Sequence, residues 1–196
     1  MFADPCQMEA DGLAYFELDE PVSEEERAFL SAMRRRTEGL IGLWGAREGS
    51  ESGPVLVGIH MDAPGVALVT AGVRVRAGHL HGDRLDDQSY VFPVTPSSLV
   101  IDRDGSPDDL AAAAATWFET LLSRPIVHQE WVHEGQVYAQ RWMFADTGEP
   151  LAQSYRRDWA PSGQPEHLIR DGHVYGRGWI QTSGLGQPDQ ETLVTR

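Results

Sequence analysis

IVHQEWVHEGQVYAQRWMF, residues 126–144, is the stretch from which the fold is read. Two runs rich in Val, Ile, Trp and Tyr flank Glu134-Gly135. A two-residue link ending in Gly favours the positive-φ turn that closes a β-hairpin. Pairing through that turn sets Trp131 beside Tyr138 and Val127 beside Trp142 on one face. The opposite face then pairs His128 with Arg141, Glu130 with Ala139, and Val132 with Val137.

Just upstream lies a well-punctuated helix. Asp104-Gly105 turns the chain, Ser106 caps, and Pro107 takes the first helical position, where its missing N–H costs nothing. Asp108 and Asp109 favour the positive end of the dipole, Ala111–Ala115 has high helix propensity, and Arg124-Pro125 stops the run. Leu110, Ala114, Trp117, Phe118, Leu121 and Leu122 form its apolar face. Downstream, Asp146-Thr147-Gly148 leads into a strand over Leu151–Arg157. A second hairpin is expected about Asp171-Gly172, joining Leu168–Arg170 to His173–Gln181, with a polar, frayed tail over 182–196.

The first half repeats that order. Residues 1–22 read as an acidic arm with a strand-like core at Leu13–Leu18. Ser23 and Glu26 have the spacing of a capping box; Glu24 and Glu25 suit the helix start, Arg34, Arg35 and Arg36 its end, and Gly39 closes it. Phe29, Leu30 and Met33 share one face. Strands are then expected at Leu40–Trp44, Pro54–Met61, Val66–Arg76, Ser89–Val94 and Leu99–Asp102. Asp62-Ala63-Pro64-Gly65 reads as a turn and 78–88 as a polar, turn-like link. Runs of strands with segregated helices mean α+β, not α/β. The expected architecture is two helices, each followed by an antiparallel β-meander, in one globular unit over 23–181. Its halves, about 23–104 and 105–181, have the order of a duplicated unit.

Composition narrows the function. All sixteen cations among Lys and Arg are arginine, and the net charge is −14. Phosphate recognition needs clustered cations, so nucleic acid is an unfavourable partner, as is an anionic membrane surface. Zero lysines excludes Schiff-base chemistry, pyridoxal attachment and a P-loop. Cys6, the one cysteine, cannot form an internal disulfide. The acidic start lacks the cations of a secretory leader and no run approaches 18 apolar residues, so a cytoplasmic location is expected. An acidic chain of this kind suits a basic protein partner.

One string suggests metal chemistry: His79-Leu80-His81-Gly82-Asp83, followed by Asp86 and Asp87. Alternate histidines on an extended segment point to one side, and a carboxylate two residues on completes three ligands with an open position for a divalent metal such as zinc. The string resembles the first metal motif of metallo-β-lactamase-like hydrolases, departing at Arg84, where that family has a further histidine. It is similar also to the His-x-His opening of cupins, with Asp86 where their Glu stands. The alternative is two solvated histidines at a polar hairpin tip. Among six tryptophans, Trp117, Trp131 and Trp142 fall on core faces; Trp44, Trp159 and Trp179 lie near Gly-rich or loop segments and are candidates for a binding surface. Three functions follow in order: a non-enzymatic protein-binding module of immunity-protein, chaperone or adaptor type, with no cofactor; a metal-dependent enzyme using His79, His81 and Asp83; and a small-molecule binder lined by Trp44 or Trp179.

Overall fold

The structure is a computed structural model that describes residues 23–49, 53–63, 66–85 and 97–194. The expected acidic arm, the strands at Leu13–Leu18 and Ser89–Val94, Cys6, Asp86 and Asp87 lie outside the described residues, as does the Pro64-Gly65 part of the turn. The chain is α+β, with helices and antiparallel sheets. Among the described residues no helix is long and apolar enough to cross a membrane. Internal contacts divide the chain into two compact units: the first takes its described residues from within 1–60, 70–84 and 99–122, the second from within 61–69, 85–98 and 123–196.

In the first unit, α1 (Glu24–Arg36) begins with the expected capping box: the Ser23 hydroxyl accepts from the Glu26 amide, and Glu26 accepts from the Ser23 amide. Phe29, Leu30, Ala32 and Met33 are its buried residues. A five-stranded antiparallel sheet, most of whose residues fall in this unit, follows in sequence order: β1 (Leu43–Arg47), β2 (Val55–Ala63), β3 (Val66–Arg76), β4 (His79–Arg84) and β5 (Ile101–Asp104). Helix α2 (Pro107–Ser123) buries Leu110, Ala111, Ala114, Ala115, Phe118 and Leu121, and the Trp117 indole donates to the Leu99 carbonyl.

Two expectations change here. Strand β1 starts three residues late, because Gly42 takes φ 85° and ends the preceding turn. The polar link expected at 78–88 is a strand over its first part. Ala77-Gly78, with φ 49° and 75°, makes the two-residue turn that starts β4, and alternation does the rest. Leu80 is fully buried while His79 and His81 face the other way. Gly82 is required, since a Cβ there would meet Ile101 at 2.6 Å and Val73 at 2.8 Å.

The second unit holds a four-stranded sheet of order β11-β6-β7-β8: β6 (Ile126–His133), β7 (Gln136–Phe144), β8 (Pro150–Tyr155) and β11 (Gln190–Val194). The Glu134-Gly135 turn forms as expected, with both residues at positive φ. The register past Val132–Val137 differs. A bulge between Trp131 and Val132 sets Trp131 opposite Ala139 and His128 opposite Trp142, so the expected pairs beyond it shift by one.

Residues expected to form a hairpin about Asp171-Gly172 instead end α3 (Gln164–Arg170). The His173 amide bonds the Leu168 carbonyl and the Gly172 amide that of Ile169, the Schellman arrangement in which a positive-φ Gly closes a helix. The hairpin falls later, between β9 (Val174–Tyr175) and β10 (Trp179–Ile180). The tail expected to fray over 182–196 is regular structure over much of its described part. A 3-10 turn at Thr182–Gly184 is followed by β11, which pairs with β6 over five residues. Its side chains are almost all exposed, so it carries no alternation for a sequence reading to detect.

Candidate functional site

The second unit carries a cleft of about 200 Å³ where the end of β8 meets the β9–β10 hairpin. Strand β8 supplies Gln153, Ser154 and Tyr155, the following 3-10 turn supplies Arg157, and the hairpin supplies Trp179. The walls are fixed from behind. Tyr155 donates its hydroxyl to Gln164 (2.9 Å), whose amide donates to the Tyr138 hydroxyl (3.1 Å). The Gln153 carbonyl accepts from both the amide and the hydroxyl of Thr182, at 2.9 and 2.7 Å. Burial, followed by the neighbouring Tyr138, pushes the Tyr155 phenol up to about 12, so it remains a neutral hydrogen-bond donor to Gln164 at ordinary pH.

Trp179 is 48% exposed and Trp159 41%, so two of the three expected surface tryptophans reach the surface of this unit. The Arg156 guanidinium lies 4.4 Å from the Trp159 ring centre, a cation–π contact that holds the indole in place. Sequence reasoning missed Arg157 and Tyr155. The available signal was Ser154-Tyr155-Arg156-Arg157, where two adjacent cations follow the end of a strand.

Trp44 belongs to the first unit and is half-buried. Its ring lies over Gly58, where a Cβ would come within 2.5 Å of it, and stacks with His60 at 5.5 Å between centres. The indole is thus largely occupied by its own sheet.

The cross-strand register collects His60, Thr70, Arg74, His79, His81 and Asp83 on the same sheet face as Trp44. His79 and His81 do point to one side, as expected. Their carboxylate neighbours, however, come from β5: His79 Nδ1 is 2.9 Å from Asp104 Oδ1, and His81 Nδ1 is 3.2 Å from Asp102 Oδ2. These are directly opposed cross-strand pairs. The hydrogen bond to Asp104, followed by the nearby charges of Asp102 and Asp104, raises the His79 pKa above its usual value. Asp83 lies one repeat further along, accepts from the Arg84 amide at 2.6 Å and acts electrostatically on Arg74. Among the described residues no group of three His, Cys, Asp or Glu is placed to hold a metal ion.

A polar row crosses one face of the second sheet. The half-buried Arg141 donates twice to the Gln129 carbonyl, at 2.7 and 3.1 Å, and Gln129 donates to Glu191 at 2.7 Å. Burial holds the Arg141 guanidinium below the usual arginine range. Gln129 is the bridge by which β11 is fastened to the sheet through side chains.

Comparison with known proteins returns no matching family model, no matching curated protein and no matching solved structure.

Proposed function

We propose that the chain is a non-enzymatic protein-binding module, of the immunity-protein, chaperone or adaptor kind, that engages a basic protein partner. The observation that carries this reading is the pair of exposed indoles, Trp159 and Trp179, on one compact unit. Large, rigid aromatic side chains lose little entropy when they dock and bury much apolar area, which is why they dominate interface energetics. The net charge of −14 adds a long-range term, since an acidic protein attracts a cationic partner before contact and so raises the encounter rate.

The test is capture of the partner from native lysate on immobilised full-length protein at low salt. Wild type is expected to retain a basic protein that about 0.5 M salt releases and that the Trp159→Ala, Trp179→Ala double variant fails to retain. A wild-type column that holds nothing, or a partner indifferent to both substitutions, overturns the reading.

A further inference from the structure

The cleft beside Trp179 has a chemistry of its own. None of its seven lining residues is a carboxylate, yet it contains an arginine. Arg36, Arg47, Arg74 and Arg124 each have a carboxylate partner, at 2.7, 3.0, 2.5 and 2.8 Å. Arg157 makes no ion pair and no side-chain hydrogen bond among the described residues. It therefore lines the cleft with no carboxylate of the protein's own to pair with. Trp179 lines the same cleft, on a hairpin whose turn includes Gly178 at φ 95°.

We propose that this cleft binds a carboxylate carried on a small planar apolar group, with Arg157 as its charge partner and Trp179 as its stacking wall. The guanidinium fork matches a carboxylate geometrically as well as electrically. Size limits the rest of the ligand. About 200 Å³ is below the range of drug-sized pockets and accommodates a single ring or one residue's side chain. The walls are already held by the Tyr155–Gln164–Tyr138 chain and the Gln153–Thr182 bonds, so little ordering accompanies binding. A free aromatic acid and the C-terminal residue of a peptide present the same chemistry. The inference shares Trp179 with the protein-binding reading but concerns an acidic ligand, and Arg157→Gln, which that reading does not use, separates the two.

The test uses the full chain, ¹⁵N-labelled, with the Gly178 amide and the Trp179 indole N–H as reporters. The probes are benzoate against benzamide, and N-acetylphenylalanine against its amide. At least one acid is expected to give saturable shifts, with Kd on the order of millimolar as a ligand this small permits. Its amide is expected to bind at least about five-fold more weakly, because a neutral group loses the charge-assisted bonds. A response to benzoate alone assigns a free small acid; tighter binding of N-acetylphenylalanine assigns a chain terminus. Arg157→Gln should abolish the preference for acid over amide, and Trp179→Ala should weaken both acids. Arg177→Gln, on the same hairpin but outside the lining, should leave both unchanged. Equal binding of acid and amide by wild type, no saturable shift with either acid, or a preference that survives Arg157→Gln overturns the proposal.

Discussion

Glu26 shows how much can depend on one side chain. It accepts from the Ser23 amide to close the capping box, and it also holds Arg47 at 3.0 and 3.2 Å, whose side chain is only 4% exposed. Ser23→Ala removes only the cap and is expected to cost about 1 kcal/mol. Glu26→Ala should cost more, about 2–4 kcal/mol, because it leaves a buried guanidinium without its counter-charge. Urea unfolding of the two variants checks the order, and equal losses would show that Arg47 draws its stability elsewhere. Arg47, by its hydrogen bond above all, holds the Glu26 carboxyl below its usual range. The pair is therefore fully present above the ordinary glutamate pKa and is lost as pH falls through the depressed value. His128 also loses stability on acidification, but by a different cause. Its ring stacks on Trp142 at 4.3 Å and 7°, and its Nε2 is buried with no hydrogen-bond partner among the described residues. Burial depresses its pKa despite the opposing charge of Glu130. The unfolded chain therefore takes up a proton that the folded one refuses, and stability falls as pH drops from about 6.5 towards the folded value. His128→Phe should flatten the unfolding free energy between pH 5 and pH 7 (roughly the imidazole range). An unchanged slope would place the acid sensitivity elsewhere.

At the scale of elements, two turns leave room for improvement. Ala77 and Glu134 both sit at φ 49°, in the left-handed region that suits Asn and Gly. Ala77→Asn and Glu134→Asn should each raise stability by a few tenths of a kcal/mol, read as a higher Tm. A fall in Tm would mean the native side chain has a role the backbone does not show. Gly184 is constrained in the opposite sense, because a Cβ there would collide with the His173 ring. Gly184→Ala should cost about 1–3 kcal/mol, as overpacking does. What was legible in the sequence follows the same lines. Both long helices could be read because their caps are local: Ser23 with Glu26, and Ser106 with Pro107. The Glu134-Gly135 turn was equally plain. The register of its hairpin was not, since a single bulge beside Trp131 moves each later pair by one and has no composition of its own. Strand β4 was hidden by its histidines, although Leu80 between them marked an inward position. Asp171-Gly172 misled because a Gly after an acidic residue serves a helix end as well as a hairpin. Of the site, Trp159 and Trp179 were foreseen as surface residues, whereas the cleft depends on β8 meeting a distant hairpin, β9–β10, which no local pattern encodes.

For the whole molecule, charge is the property that acts at a distance. For the proposed basic partner, a net −14 should make association fall steeply with salt while dissociation changes little. Stopped-flow mixing of the captured partner between low and physiological ionic strength checks this, and an on-rate indifferent to salt would mean that steering plays no part. The sheet order β11-β6-β7-β8 has a consequence in time as well as in space. Glu130 of β6 pairs with Gln190 of β11, a partner 60 residues downstream. A ribosome adding roughly 5–20 residues per second needs several seconds to deliver it. For most of that interval β6 and β7 can already be joined by their local turn, yet the other edge of β6 lacks its partner. A newly made copy thus passes through a stage at which that edge can be taken by a neighbouring chain, and crowded polysomes are where such mispairing would begin.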